Sequence, residues 1–182
     1  MNQKKDHFSR FFIAILPPET IQREITDFKE EIARDFKSSH ALKSPPHITL
    51  LMPFRWKTAK SEQLITTVNE LNLQVAPFEI KLRDFDFFDP RVVFVAVEKT
   101  EELVSLQKRV ITTCRYNLKI DLGNYRDLPF HPHVTIGFRD LKKEEFFKAK
   151  EVFRKRQYEA RFTCERMSLL KHDGEQWEPF YP

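Results

Sequence analysis

Pro46-His47-Ile48-Thr49-Leu50 recurs later in the chain as Pro132-His133-Val134-Thr135-Ile136, and this repeated stretch decides the fold. Alternate side chains of an extended strand point to the same face. The histidine and threonine of each copy therefore share one face, and their apolar neighbours share the other. Each copy predicts a strand whose apolar face is covered by helices and whose polar face is left open.

The segments around these motifs also correspond. Phe12-Ile13-Ala14-Ile15 matches Phe94-Val95-Ala96-Val97, and each is followed by a helix with an acidic start. Phe78-Glu79-Ile80-Lys81 is similarly matched by Tyr158-Glu159-Ala160-Arg161. The apolar spacing within the first helix, at Ile21, Ile25, Phe28, Ile32 and Phe36, is that of an amphipathic helix.

These patterns predict the order strand, helix, strand, helix, strand in each half of the chain. The segment from Tyr158 to Leu170 is predicted to be one strand. The fold class is therefore α+β, with two pseudo-symmetric lobes that face each other across a groove. Each lobe is a mostly antiparallel sheet with outer helices. We expect residues 1–182 to form one bilobal domain with internal halves at roughly 8–90 and 91–182.

The composition excludes several kinds of site. The three glycines, Gly123, Gly137 and Gly174, are widely separated, so no glycine-rich loop can cradle a phosphate. The two cysteines lack the spacing of a zinc or redox site. No apolar run is long enough to span a bilayer, and the first residues do not resemble a signal peptide. We therefore predict a cytoplasmic protein without a membrane partner, and we also expect a monomer.

The two His-Thr pairs predict acid-base chemistry on a phosphate group. Pseudo-symmetry would bring His47 and His133 to opposite sides of one bound group, where one imidazole takes a proton and the other gives one. The hydroxyls of Thr49 and Thr135 can donate hydrogen bonds to phosphoryl oxygens. The sequence leaves open which histidine is the acid. The net charge of +4 agrees with an anionic substrate.

The paired motifs, together with the strand from Arg10 to Ala14, resemble the 2H phosphoesterase superfamily. Within it, the chain is similar to the branch of 2'-5' RNA ligases and RNA 2',3'-cyclic phosphodiesterases. The resemblance extends from Arg10 to about Trp177. It implies a bilobal fold, no metal or nucleotide cofactor, and catalysis by the two histidines with phosphate bound by the two threonines.

Side chains near the motifs are candidates for contacts with the rest of the substrate. Rings and cations there can stack on a base or pair with a phosphate. For each residue taken singly, ordinary packing or solvent exposure is the favoured interpretation, except that for His131 the two interpretations are equal. The candidates are His131, Tyr125, Arg126, Phe130 and Arg55.

A metal site at His47, His131 and His133 is disfavoured, because no carboxylate or cysteine lies at the usual ligand spacing. The leading hypothesis is a metal-independent phosphoesterase that hydrolyses 2',3'-cyclic phosphate ends of RNA or small cyclic nucleotides. One alternative is the reverse reaction, which joins RNA ends through a 2'-5' linkage. A second alternative is a module that binds RNA ends or another phosphoester without turnover.

Overall fold

The computed structural model describes residues 7–121, 123 and 129–182. Within them the chain forms eight strands and four α-helices, in the order β1 (Phe8–Ile15), α1 (Glu19–Phe36), β2 (Ile48–Lys57), α2 (Ser61–Asn72), β3 (Phe78–Phe88), β4 (Val92–Val97), α3 (Glu101–Tyr116), β5 (His133–Gly137), α4 (Lys143–Phe153), β6 (Glu159–Cys164), β7 (Ser168–His172) and β8 (Trp177–Tyr181). Short 3-10 turns at His40–Lys43 and Thr58–Lys60 precede β2 and α2. None of the described helices has the length and apolar character needed to cross a membrane.

The strands form two four-stranded sheets, which confirms the predicted two-lobe α+β architecture. Sheet 1 has the order β2-β1-β7-β8, and sheet 2 has the order β5-β4-β3-β6. All neighbouring strands are antiparallel. The strands that begin at the two His-Thr motifs, β2 and β5, are edge strands, and their Cα atoms approach each other within 8 Å. The motifs therefore meet at the seam between the sheets.

Each sheet contains strands from both halves of the sequence. The tight turn at Asp89 and Pro90 joins β3 to β4, so β3 belongs to sheet 2 although it precedes residue 90. Strands β7 and β8 return from the C-terminal half to complete sheet 1. A boundary at residues 90 and 91 therefore does not separate the lobes. Sheet 1 is instead built from the first and last strands of the chain, and sheet 2 is built from its central strands.

Two predictions about the third strand of each half are wrong. The segment from Tyr158 to Leu170 is not one strand, because a turn after Cys164 carries the chain from β6 in sheet 2 to β7 in sheet 1. The matched segments at residues 78–81 and 158–161 are not equivalent by symmetry either. They belong to β3 and β6, which pair with each other in sheet 2, with Lys81 opposite Arg161. The strand that lies beside β1, as β3 lies beside β4, is β7.

The first helix of each half contacts the sheet of the other lobe. Helix α1 packs against β5 of sheet 2, and α3 packs against β2 of sheet 1. Helix α1 approaches β5 so closely that a Cβ added to Gly137 would lie 3.0 Å from Cγ2 of Ile32. Phe28 on the same helix contacts the ring of Phe85 at 5.1 Å between centroids. This exchange of helices joins the two lobes through one continuous hydrophobic core.

A carboxylate near the end of one motif holds the segment that leads to the other. Asp140 follows β5, and its Oδ1 accepts a hydrogen bond from the hydroxyl of Ser38 at 2.6 Å. Its Oδ2 accepts from the backbone N–H groups of Ser39 and His40, both at 3.0 Å. Because these groups begin the turn before Pro46 and His47, Asp140 caps that turn from the other half of the chain.

We expect Asp140→Ala to lower the free energy of unfolding by about 1 to 2 kcal/mol, because it removes a side-chain cap. Chemical denaturation followed by circular dichroism measures this loss. Asp27→Ala, an exposed aspartate on α1, serves as the control and should stay within about 0.5 kcal/mol of the wild type. An equal effect of the two substitutions would contradict the capping role.

Candidate active site

The two His-Thr motifs place their side chains on the faces that the alternation predicts. Ile48, Leu50, Val134 and Ile136 are fully buried on the helix-covered faces. The four motif side chains are only half-buried and lie on the opposite, groove face of each sheet: His47, Thr49, His133 and Thr135. The hydrophobic core thus fixes the strands and turns the polar residues outward.

Each histidine contacts the backbone carbonyl of the residue two positions before it. Nδ1 of His47 lies 2.7 Å from the carbonyl oxygen of Pro45, and Nδ1 of His133 lies 2.7 Å from the carbonyl oxygen of His131. A carbonyl oxygen only accepts hydrogen bonds, so Nδ1 of each ring carries the proton. In the neutral imidazole, Nε2 is then the free nitrogen with a lone pair. Each ring is prepared to act through Nε2.

An aromatic ring at an equivalent position packs on each imidazole. Phe12 lies 4.8 Å from His47 between ring centroids, and Phe94 lies 5.0 Å from His133. The two phenylalanines open the matched segments of β1 and β4, and both are buried. Phe88, on the neighbouring strand, adds an edge contact to His133 at 5.2 Å. The pseudo-symmetry therefore includes the groups that hold the rings in place.

Burial keeps the imidazoles neutral. It lowers the pKa of His47 from 6.5 to about 4, and the positive charges of Lys29 and His133 lower it further. The hydrogen bond to the carbonyl of Pro45 acts in the opposite direction. Burial also lowers the pKa of His133, with a smaller contribution from His131. The strands that carry the two rings, β2 and β5, adjoin at the seam between the sheets.

Lys29 is a functional candidate that the sequence analysis missed. It lies in the buried stripe of α1, it is only 2 % exposed, and its Nζ donates to the carbonyl oxygen of Ser44 at 2.9 Å. Burial lowers its pKa from 10.5 to about 7. The sequence does indicate this position, because Lys29 stands four residues after Ile25 and three before Ile32, which is the spacing of the apolar stripe. At the matching place in α3 the chain has the apolar residue Ile111.

Three predicted substrate contacts are described by the structure. His131 is exposed beside the second motif, and its ring lies 5.0 Å from that of Phe88. Arg55 lies on β2, directly opposite Arg10 of β1. Phe130 is half-buried and packs against the hydrophobic core, so its ring is partly used in packing. Tyr125 and Arg126 lie outside the described residues.

Within the part of the chain that the structure describes, no three residues among His, Cys, Asp and Glu are arranged to hold a metal ion. His47 and His133 each use one ring nitrogen on a backbone carbonyl. The described cysteines, Cys114 and Cys164, are buried away from this face, and burial raises the pKa of both thiols.

Two bacterial relatives match most of the chain and carry the name "putative phosphoesterase". The one from Geobacillus sp. strain WCH70 is 28% identical over 163 residues, which cover 88% of this chain and 87% of the relative. The one from Bacillus cereus strain B4264 is 33% identical over 130 residues, which cover 69% of this chain and 67% of the relative.

Solved structures with the same fold include two bacterial proteins. TT0787 of Thermus thermophilus superimposes with a TM-score of 0.66 at 20% identity, covering 94% of both chains. LigT of E. coli, in a complex with 3'-AMP, superimposes with a TM-score of 0.65 at 17% identity, covering 96% of both chains. The model of the 2'-5' RNA ligase superfamily matches residues 17–176. With its paired motifs at the seam of this fold, the chain belongs to the 2'-5' RNA ligase superfamily of 2H phosphoesterases.

Proposed function

We propose that this protein hydrolyses 2',3'-cyclic phosphate ends of RNA, or small cyclic nucleotides, without a metal ion. The observation that carries the proposal is the pair of imidazoles with anchored Nδ1 atoms and free Nε2 atoms on adjoining edge strands. A cyclic phosphate between them would have a proton acceptor on one side and a proton donor on the other. These are the two groups that hydrolysis of a phosphodiester needs.

In the proposed reaction, His47 is the general base and His133 is the general acid. The pKa of His47 is lowered by the positive charge of Lys29 as well as by burial, so this imidazole has the stronger preference for the neutral form that a base needs. Nε2 of His47 takes a proton from water as the water oxygen bonds to phosphorus. One ribose oxygen leaves the phosphorus and receives the proton of His133. The product is a ribose phosphate monoester.

Binding of the substrate would favour the protonated form of His133, which takes its proton from solvent. A bound phosphate brings negative charge next to the imidazole, and nearby negative charge raises the pKa of a histidine. The hydroxyls of Thr49 and Thr135 lie on the same groove face and would donate hydrogen bonds to the non-bridging oxygens. Such bonds stabilise the charge that develops in the transition state.

The reverse reaction, which joins RNA ends through a 2'-5' linkage, would use the same groups with their roles exchanged. The family description favours keeping it as the second candidate. RNA pieces with a 2',3'-cyclic phosphate and a 5'-hydroxyl distinguish the two, since ligation gives a longer RNA and hydrolysis gives a terminal monoester. Tight binding of the same RNA with neither product would instead favour the non-catalytic module.

We expect His47→Ala and His133→Ala each to lower kcat on a 2',3'-cyclic nucleotide by about 10²- to 10⁴-fold. The double variant should be little worse than either single variant, because the two groups act in one step. Phosphorus NMR follows the product. His7→Ala, at an exposed histidine outside the site, is the control and should keep wild-type turnover. Near-normal turnover by the double variant would overturn the proposal.

Lys29→Met tests the role of the buried charge. We expect the loss of activity at low pH to move to higher pH, because removing a neighbouring positive charge raises the pKa of His47. At that pH Lys29 is fully protonated, since its own pKa is about 7. The pH dependence of kcat/KM measures the shift. If the low-pH side of this profile were the same in the variant and the wild type, Lys29 would not act on the general base.

The same variant should also be more stable than the wild type at pH 6, by about 1 to 3 kcal/mol. The folded chain releases the lysine proton near pH 7, and the unfolded chain keeps it up to about pH 10.5. Burial of the charge therefore costs stability below pH 7, and this cost disappears between pH 7 and 10.5. The difference between variant and wild type should shrink over that range in urea denaturation.

A further inference from the structure

A row of aromatic rings leads away from His47 across the groove face of sheet 1. Phe12 lies 4.8 Å from His47, Trp177 lies 4.7 Å from Phe12, and His172 lies 4.8 Å from Trp177, all between ring centroids. Phe12 and Trp177 belong to a small hydrophobic cluster that is separate from the main core. These contacts form a continuous layer beside the first motif, in which Phe12 is buried and Trp177 is half-buried.

Two exposed arginines lie on the same face of sheet 1. Arg10 and Arg55 are directly opposite each other in the pairing of β1 with β2. The guanidinium carbon of Arg10 lies 5.5 Å from the ring centroid of Trp177, and that of Arg55 lies 5.1 Å from that of Phe8. Within residues 7–121, 123 and 129–182, no aspartate or glutamate forms an ion pair with either arginine.

Like charges directly opposite each other destabilise a pair of strands. A bound anion would remove this repulsion. Lys43 adds to the same positive field: burial lowers the pKa of His172 most, and the charges of Arg10 and Lys43 lower it further. Asp173 is the acidic group that acts on His172, but its carboxylate accepts hydrogen bonds from the backbone of Glu175 and Gln176 at 2.7 and 2.8 Å. It is therefore held within its own turn.

The other lobe has no equivalent arginine at the position that matches Arg10. Arg10 stands two residues before Phe12, and the residue two before Phe94 is Val92. The pseudo-symmetry that holds for the histidines, threonines and phenylalanines is thus broken at this point. At this pair of matched positions, sheet 1 therefore carries a positive charge and sheet 2 does not.

We propose that Arg10 and Arg55 bind the phosphate that precedes the reacting cyclic phosphate in a single RNA strand. The inference rests on the proposed function and specifies its substrate as an oligonucleotide end rather than a cyclic mononucleotide. Two residues of a strand span about 7 Å, which is roughly the length of one nucleotide. Arg10 therefore lies about one nucleotide along β1 from the place where Phe12 contacts His47. The ring of Trp177 holds the guanidinium of Arg10 by a cation–π interaction.

The test compares three substrates that differ only at this phosphate. They are 2',3'-cyclic AMP, the dinucleotide ApA with a 2',3'-cyclic phosphate end, and the same dinucleotide with an uncharged methylphosphonate linkage. We expect Arg10→Ala and Arg55→Ala each to raise KM for the charged dinucleotide by about 10-fold, as for a lost hydrogen bond to a charged group. KM for the other two substrates, and kcat for all three, should change less than twofold.

Arg115→Ala is the matched control, because Arg115 is an exposed arginine that also lies over an aromatic ring, that of Tyr116 at 5.3 Å. It should leave all three substrates unchanged. The preference of the wild type for the charged dinucleotide should also decrease with added salt, and less steeply in the arginine variants. An equal rise of KM for all three substrates in Arg10→Ala would overturn the proposal.

A binding measurement separates this proposal from the proposed function. Dinucleotides with a 3'-phosphate end, with and without the linkage charge, are titrated while the fluorescence of Trp177 is followed in a Trp56→Phe background. Weaker binding of the charged dinucleotide in Arg10→Ala, without an effect on the uncharged one, would support the arginine site even if no cyclic phosphate is hydrolysed. Equal binding of the two dinucleotides by the chain with Arg10 intact would refute it.

Discussion

The hydrogen bond from Nδ1 of each motif histidine to a backbone carbonyl is the constraint on which the site depends. At 2.7 Å in both lobes, it uses the nitrogen nearer the chain and leaves Nε2 free. The carbonyls belong to Pro45 and His131, each two residues before its histidine. A short extended segment thus carries both the acceptor and the imidazole, and the buried rings of Phe12 and Phe94 pack on the two imidazoles.

The symmetry of this arrangement would give two identical imidazoles, whereas acid-base catalysis needs two different ones. One side chain that differs between the lobes provides the difference. Lys29 acts on His47 from inside the core, and its matching position in α3 is Ile111. We infer that duplication supplies the two imidazoles and that this cation assigns their roles.

Much of the site could be predicted from the sequence because strand alternation is a local property. The repeat at His47 and His133 determined which residues face the core and which face outward, and the buried Ile48 and Val134 confirm it. Sheet membership could not be predicted in the same way. The split after Cys164 and the pairing of β3 with β6 depend on contacts between distant segments. Lys29 was missed because a lysine in an apolar stripe usually extends its charge to solvent.

The exchange of helices explains why a lysine can remain buried at this position. Because α1 crosses to pack on sheet 2, one face of the helix lies under the segment that returns to sheet 1. Lys29 holds this segment at the carbonyl of Ser44, and Asp140 holds its beginning at Ser38 and Ser39. A methionine would fill the same space at a lower cost, but it would leave the carbonyl without its donor and His47 without the neighbouring charge. Burial of Lys29 thus lowers the stability of the fold. In return it places a charge near His47, the proposed general base, and a hydrogen bond on the segment that orients the ring of His47.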